Sequence, residues 1–456
     1  MPTRLVCIAC LLLFLYAAVD AAGEERSAPT AEQIKAWRAE GPAAVDRLMA
    51  ECAKLIAAAE KVPGKERYTL ADKFVIQNEA ERSAWKRVQV INDTIDAVAR
   101  AKYSHESGLY WYTDEAEAMR VAKELGKPVL ALRLLGNLDE ELSCANSRYF
   151  RILLYPDESV RKLLHDKFVL TWKSVRPVPK ITIDFGDGRK VERTITGNSV
   201  HYVMLPDGQI VDVFPGLYGP KPFLQRLKSA ATAADRASKA ADAAAELVAY
   251  RSQQLTVLKS AWDADVSKYL EQQRQPQKPW TFDKVGYAPP APQDFWTTAA
   301  DFHPEYAELG KASRELVQLE ALVGLYSRVY PGHEHHRVAT KHGDRLIPKM
   351  SWVKGGDEAI LGMLLGCVTP ALQTDTLFNE YCGRRWALQW LDHSPGQSLE
   401  ELNRDVYDTV FGYHPDDPWA GLSRLESLTA LPKDRGLIDA SQRAAAKDNE
   451  NARELD

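Results

Sequence analysis

Two apolar stretches on either side of a cysteine decide the fold expected for the middle of the chain. Residues 125–132 read LGKPVLAL, and residues 200–214 read VHYVMLPDGQIVDVF. A short apolar run after Gly-Lys-Pro is typical of a buried strand, and Pro-Asp-Gly between two apolar runs indicates a β-hairpin turn. With a helix predicted over 114–125 and a strand over 168–172, this order of elements predicts a layered α/β domain.

Helical patterns lie on both sides of this domain. Upstream, apolar residues recur at steps of three and four over 31–103, which is the period of an amphipathic helix. Downstream, residues 222–272 are rich in alanine and nearly free of helix breakers, so they predict one long helix or two packed helices. Many prolines over 273–304 indicate a linker or an extended wrap over the surface. The fold class we expect is α/β in the middle and α+β overall.

The N-terminus has the features of an export signal. Arg4 precedes an apolar run over 5–19, and small residues follow it. We therefore expect cleavage near Ala21 or Ala22 and a periplasmic or secreted mature protein. The run is shorter than the roughly 20 residues that span a bilayer, although an uncleaved N-terminal anchor is the alternative. No later segment of the sequence is apolar enough to cross a membrane, so we expect no transmembrane segment after cleavage.

Length and charge complete the expected organisation. A chain of 456 residues suggests several units at roughly 150 residues per domain. The parts expected are a signal peptide at 1–22, an N-terminal helical region at 23–104, the α/β domain at 105–230, an alanine-rich helix at 231–272, a proline-rich linker at 273–304, a C-terminal helical domain at 305–432 and a polar tail at 433–456. The net charge of -5 argues against a nucleic-acid partner.

Four cysteines remain after the predicted cleavage, in a compartment where disulfides persist. Cys367 and Cys382 are close enough in sequence to pair, but spacing alone does not establish that bond. Cys52 falls within a helical pattern and is interpreted as a small packing residue. Cys144 follows the first predicted strand and is the candidate reactive thiol.

The segment 111–227 resembles the thioredoxin-like superfamily, in particular an exported branch with a helix before the first core strand. The matching pieces, in order, are residues 117–130, a cysteine, residues 156–160 (PDESV), residues 167–169 (KFV), residues 202–211 and Gly216. The resemblance covers about a quarter of the chain and implies a thioredoxin-like central domain.

In that family a Cys-x-x-Cys motif opens the helix after the first strand. Its first thiol attacks a disulfide and its second resolves the mixed disulfide, and the helix N-terminus favours the thiolate. Here the matching positions hold Cys144 and Ser147. The resemblance therefore implies a monothiol protein. Cys144 would form mixed disulfides with protein or small-molecule thiols, and Ser147 would leave resolution to an external thiol.

Three departures from the family pattern weaken this redox interpretation. Val200 stands where the family has a cis-proline, and a cis bond before another residue costs about 3 kcal/mol. Leu132 stands near the family's buried acidic residue, so a proton acceptor is missing. Residues 136–142 form a longer, acidic loop whose charges would oppose ionisation of the Cys144 thiol.

Three basic residues, Arg148, Arg151 and His201, can be interpreted either as groups that favour a reactive Cys144 thiol or as structural side chains. Arg148 lies one helical turn after Cys144 and could face its thiolate, and His201 could contact the same sulfur from the facing strand. The alternative for Arg148 and Arg151 is pairing with acids on a helix surface. The alternative for His201 is a strand residue with a local hydrogen bond. The candidate catalytic residues are Cys144, Ser147 and His201.

Two other functions compete with thiol exchange. One is a non-catalytic thioredoxin-fold scaffold whose helical flanks bind a partner, with Cys144 as a structural thiol. The other is metal handling by residues 333–336 (HEHH) and His342, although the preceding Pro-Gly turn and the lack of His-Glu-x-x-His spacing favour a solvated loop. Phosphate-loop and haem-attachment motifs are missing, so we assign no cofactor and no metal ligand. Oligomeric state stays open.

Overall fold

The computed structural model describes residues 28–59, 61–62, 79–194, 197–274, 291–308 and 370–417. The predicted signal peptide, the histidine-rich segment at 333–342, Cys367 and the polar tail at 433–456 lie outside these residues. Within the described ranges, no helix combines the length and the apolar character needed to cross a membrane.

The described part of the N-terminal region forms three helices, as the periodicity predicts. They are α1 (Ala31–Glu40), α2 (Pro42–Ala59) and α3 (Glu79–Ala99). Thr30 begins α1 with a capping box, and Gly41, at a φ of 69°, separates α1 from α2. Cys52 on α2 is buried and lies 3.1 Å from Asn92 Oδ1 on α3. Its burial between two helices agrees with the packing role expected from the sequence.

Six strands follow in the middle of the chain. They are β1 (Val129–Leu135), β2 (Val169–Arg176), β3 (Lys180–Asp184), β4 (Lys190–Thr194), β5 (Ser199–Met204) and β6 (Ile210–Pro215). Four form one sheet in the order β2-β1-β5-β6, in which β1 and β2 are parallel and the other neighbours are antiparallel. β3 and β4 form a separate two-stranded hairpin. This mixed sheet surrounded by helices agrees with the expected α+β class.

The helices that connect and cover the strands begin and end where local signals predict. They are α4 (Ser104–Ser107), α5 (Glu115–Leu125), α6 (Ala145–Tyr149), α7 (Glu158–Lys167) and α8 (Pro220–Lys239), and a π-helical turn over Phe150–Leu154 continues α6. Asp114 caps α5 by accepting from the Glu117 N–H, and Gly126 ends it at a φ of 62°. All seven residues of β1 are buried. The apolar run over 129–132 predicts this for the first four, whereas the burial of Arg133 was not expected.

The alanine-rich stretch forms two packed helices, α8 and α9 (Ala243–Gln273). The helical structure is interrupted between them at 240–242, and Asp242 caps α9 by accepting from the Ala245 N–H. The predicted boundary at 231 is wrong, because α8 continues through it with Ala230, Ala233 and Ala234 buried. Small side chains at these positions let α8 approach its neighbours closely.

Part of the predicted proline-rich linker is folded. Residues 293–300 form α10 (Gln293–Ala300), and a 3₁₀ turn covers Pro304–Ala307. Phe295 is completely buried and its ring lies 5.0 Å from that of Trp262 on α9. The linker prediction is therefore wrong for residues 291–304, because this aromatic anchor and a 2.8 Å His303–Asp265 contact attach them to α9.

The described C-terminal residues pack on the sheet. Residues 370–378 are helical, and a π-helical turn (Asn379–Arg384), α11 (Arg385–His393), α12 (Leu399–Asp405) and a second π-helical turn (Val406–Val410) follow. Leu402, Val406 and Tyr407 are completely buried in the same apolar cluster as β1 and β5. The predicted C-terminal helical domain is thus, in its described part, a continuation of the central domain.

A buried ion pair joins this region to β6. Arg384 and Asp212 are both completely buried, and Arg384 donates to the two carboxylate oxygens at 3.0 and 2.7 Å. Tyr250 donates to the same carboxylate at 2.5 Å, and Gln254 accepts a further bond from Arg384. Although burial disfavours the charged guanidinium, Asp212 and Glu380 raise the pKa of Arg384. The positive charge of Arg384 is therefore maintained inside the protein.

Candidate functional site

Cys144 lies at the start of α6, where the sequence places it. The chain leaves β1, turns through residues 136–143 and enters α6 with Cys144 as the N-cap. The sulfur accepts a hydrogen bond from the Ser147 N–H at 3.4 Å and lies 3.1 Å from Ser199 Oγ. Cys144 has no exposed surface. The thiol is therefore at a helix N-terminus but beneath the protein surface.

Ser147, the second residue of the Cys-x-x-Ser pattern, is also completely buried. Its hydroxyl donates to the Cys144 carbonyl at 2.8 Å and lies 2.5 Å from Ser143 Oγ. Because the single hydroxyl proton of Ser147 goes to the carbonyl, Ser143 is the donor in the second contact. The Ser147 hydroxyl thus stabilises the start of α6. Only the backbone N–H of Ser147 is directed at the Cys144 sulfur.

Arg151 holds the loop before Cys144 in place. This side chain is 2% exposed, and its guanidinium donates to the backbone carbonyls of Leu138, Glu140 and Ser147 and to Ser143 Oγ. Burial lowers its pKa. The interpretation that Arg151 pairs with acids on a helix surface is wrong, because three of its acceptors are main-chain carbonyls in the interior.

Arg148 points toward the β3–β4 hairpin, where its Nη2 donates to Thr194 Oγ1 at 3.1 Å. Neither of the two expectations for Arg148 describes this contact, since the acceptor is a hydroxyl on β4. The sequence analysis did not predict the β3–β4 hairpin, and therefore it did not predict the Thr194 hydroxyl as an acceptor for Arg148.

His201 lies on β5 and is 1% exposed. Its Nε2 lies 2.7 Å from the hydroxyl of Tyr155, and the rings of Phe150 and Phe223 contact it edge-on at 4.6 and 5.0 Å. Burial in this aromatic surrounding lowers the pKa of His201 to about 3, so the imidazole is neutral at physiological pH. The sequence suggests a local hydrogen bond for His201 as one alternative. The observed bond is not local, because it joins β5 to the end of the π-helical turn after α6.

The structure does not bring His201 and Cys144 into a hydrogen bond. On β5, the residue that meets the sulfur is Ser199, two positions before His201. Val200, between them, pairs with Arg133 of β1, and no cis peptide bond occurs in the described part of the chain. Leu132 is completely buried and pairs with His201.

Ser199 and Tyr407 are the neighbours of Cys144 that the sequence did not reveal. Tyr407 is completely buried, and its hydroxyl donates to the backbone carbonyl of Asn198 at 3.1 Å. Burial raises the pKa of Tyr407, and the nearby Cys144 contributes to the same shift. Tyr407 therefore lies against the Asn198 backbone at the start of β5, next to the residue whose hydroxyl contacts the Cys144 sulfur. No local pattern could relate residues this far apart in the chain.

Among the residues that the structure describes, the other groups named from the sequence form no second site. Cys382 is a buried free thiol whose pKa burial raises to about 12, and its proposed partner Cys367 lies outside the described residues. Residues 333–336 and His342 also lie outside the described residues. Within the described ranges, no three His, Cys, Asp or Glu side chains are arranged to hold a metal ion.

The site is therefore a buried thiol with hydrogen-bonding neighbours, near a neutral histidine that is paired elsewhere. Comparison of the chain with protein-family models, with curated proteins and with solved structures finds no match.

Proposed function

We propose that this chain is an exported, non-catalytic protein with a thioredoxin-like central domain that acts as a partner-binding scaffold. Support for the domain assignment comes from the order of elements. Along the chain, α6 and α7 lie between β1 and β2, which are parallel strands. The β5–β6 hairpin and α8 follow. Cys144 begins the first of these helices, as the resemblance implies. The proposal of export rests on the N-terminal sequence.

The absence of exposed surface on Cys144 is the observation that carries the non-catalytic assignment. In thiol–disulfide exchange a thiolate attacks one sulfur of a disulfide along the S–S axis, so the attacking sulfur must be reachable. Reactive cysteines accordingly lie in partly exposed, electropositive surroundings. Cys144 instead belongs to the main apolar cluster of the domain, which favours a structural role for its sulfur.

The neighbouring groups support the same assignment. Ser147 offers no second thiol, and its hydroxyl is engaged with the Cys144 carbonyl and Ser143. His201 is neutral and bonded to Tyr155, so it supplies neither a base nor a cation to the sulfur. Catalysis by a nucleophile requires an activating group within hydrogen-bond reach. The hydroxyl of Ser199 meets the sulfur but is too weak a base for that task.

Monothiol exchange is the second candidate, and one observation favours it. The Cys144 sulfur accepts the Ser147 N–H at the N-terminus of α6, and such a bond stabilises a thiolate. The candidate requires a conformation in which the sulfur is exposed.

Incubation of the native protein with glutathione disulfide separates the two candidates. We expect no glutathione adduct on Cys144 under conditions in which a small exposed thiol is fully modified, because burial prevents attack. Intact-mass measurement and peptide mapping detect the adduct, and Cys52→Ser and Cys144→Ser variants assign it. A stoichiometric adduct that persists in Cys52→Ser and is lost in Cys144→Ser would establish the monothiol candidate instead.

A further inference from the structure

The described C-terminal region has two halves that are attached to the domain in different ways. The first half, residues 379–393, is anchored by buried charges. Arg384 is paired with Asp212, and Glu380, 1% exposed as a side chain, is paired with Arg226 at 2.7 Å. Removing one partner of a buried pair leaves an uncompensated charge in the interior, which is strongly unfavourable. This half therefore cannot leave the domain without unfolding it.

The second half, residues 398–413, crosses the sheet, and its polar contacts lie on β1, β2 and β5. On β2, the Arg176 guanidinium lies 5.9 Å from the Tyr413 ring centroid and donates to the Pro415 carbonyl just beyond this half. Glu400 lies 3.2 Å from the guanidinium of Arg133 on β1, Tyr202 of β5 donates to Asn403 at 3.1 Å, and Tyr407 donates to the Asn198 carbonyl. Its apolar side chains complete the cover, since Leu402, Val406 and Tyr407 are completely buried. We call residues 398–413 the strap.

The charges at the strap differ from those of the anchored half in one decisive respect. Arg133 is buried, with 3% of its side chain exposed, but it also pairs with Glu115 of the domain body at 2.6 Å. Glu400 is already 57% exposed and has a second, surface partner in Lys173. Separating the strap from the sheet therefore leaves Arg133 compensated and returns Glu400 to water. No buried charge is stranded.

A turn suited to act as a hinge lies between the two halves. Residues 394–397 read SPGQ, and Gly396 has a φ of 96°, with no atom within 4 Å of the position that a Cβ would occupy. The start of α12 is stabilised locally, because Ser398 and Glu401 form a capping box. The strap can thus keep its helix while it moves about this turn.

We propose that residues 398–413 form a releasable strap, hinged at 394–397, that covers Cys144 and controls whether this thiol can be reached. The strap includes Tyr407, whose hydroxyl donates to the carbonyl of Asn198, and the next residue, Ser199, contacts the Cys144 sulfur. Local opening of a peripheral segment, while the anchored core stays folded, is the ordinary form of sub-global opening in proteins. The inference goes beyond the scaffold function and does not depend on it.

Alkylation by iodoacetamide, followed by peptide mapping, tests the strap in the full-length protein. Replacing Tyr407 with alanine removes both a buried side chain and the bond to Asn198. We expect the labelling of Cys144 to accelerate at least about tenfold, through more frequent local opening. Cys52 in the N-terminal helices and Cys382 in the anchored half should keep their wild-type rates. Tyr407→Phe retains the packing and should give a smaller increase.

Two results would overturn the proposal. An equal acceleration at all three cysteines in Tyr407→Ala would mean that global unfolding, not strap opening, exposes Cys144. Unchanged labelling of Cys144 in this variant would mean that the strap is not its cover. Amide hydrogen exchange of the wild type gives a measurement independent of any variant. Residues 399–410 should exchange faster than the anchored residues 385–393, and equal exchange rates would contradict a separately opening strap.

Discussion

Replacement of Arg384 by methionine is expected to lower the free energy of unfolding by about 3–5 kcal/mol, the usual effect of removing one partner of a buried ion pair. Asp212 would keep its hydrogen bond from Tyr250 but would lose both bonds from the guanidinium. Its carboxylate, completely buried, would then lack its nearest compensating charge. Urea denaturation of wild type and variant, followed by circular dichroism, measures the difference.

A double-mutant cycle provides the control. Adding Asp212→Asn to Arg384→Met removes the stranded charge, so the double variant should be more stable than Arg384→Met alone. Lys239→Met is a matched control because this cation pairs with Asp235 on the surface, with both side chains more than half exposed, and should change stability by less than about 1 kcal/mol. Equal losses in Arg384→Met and Lys239→Met would contradict the role given to the buried pair.

His201 is expected to make the protein lose stability in mild acid. Its pKa falls from the ordinary value of 6.5 to about 3 in the folded protein because it is buried. Below pH 6.5 the unfolded chain binds a proton at this residue and the folded protein does not, so its contribution to stability is complete above pH 6.5 and decreases as pH falls toward 3. Each unit is worth roughly 1.4 kcal/mol, which gives about 2 kcal/mol of loss at pH 5.

Comparison of wild type with His201→Gln isolates this effect. Glutamine does not titrate, and its side chain can still form a hydrogen bond with Tyr155. The stability advantage of wild type over the variant should therefore shrink by about 2 kcal/mol between pH 7 and pH 5, as measured by urea denaturation. His165→Gln serves as the control, since this side chain is 47% exposed. A constant difference between wild type and His201→Gln across this range would show that His201 is not held neutral.

The sequence was most informative where the cause of structure is local. Asp114 and Gly126 bound α5, and the Pro-Asp-Gly turn at 206–208 connects β5 and β6. In each case the residue types act on their own backbone within a few positions. The position of Cys144 at a helix start was expected for another reason, namely its place in the order of pieces that resembles the thioredoxin-like superfamily.

Two features escaped the sequence interpretation for different reasons. The β3–β4 hairpin has a signal that was overlooked, because residues 180–185 alternate apolar and polar side chains before glycines at 186 and 188. The burial of Cys144 has no such signal. The sulfur contacts Ser199, which is 55 residues away, and it lies in an apolar cluster that includes Tyr407 from a region predicted to be a separate domain. Side-chain spacing cannot reveal which distant segment covers a site.

The same limit applies to His201 and Arg151. The sequence predicts that both lie near the start of α6, and it makes His201 a candidate catalytic residue. In the folded protein His201 is paired with Tyr155 and Arg151 with main-chain carbonyls. Hydrogen bonds to partners that only the tertiary structure supplies give both side chains structural roles.

Alkylation of native wild-type protein tests the central claim, the burial of the Cys144 sulfur, most directly. Labelling with iodoacetamide at neutral pH, quantified by peptide mapping, should be at least roughly a thousandfold slower for Cys144 than in the urea-unfolded chain, because reaction must wait for an opening that costs several kcal/mol. Native labelling of Cys144 within about tenfold of the unfolded rate would contradict the account and would place a reachable thiol at the start of α6.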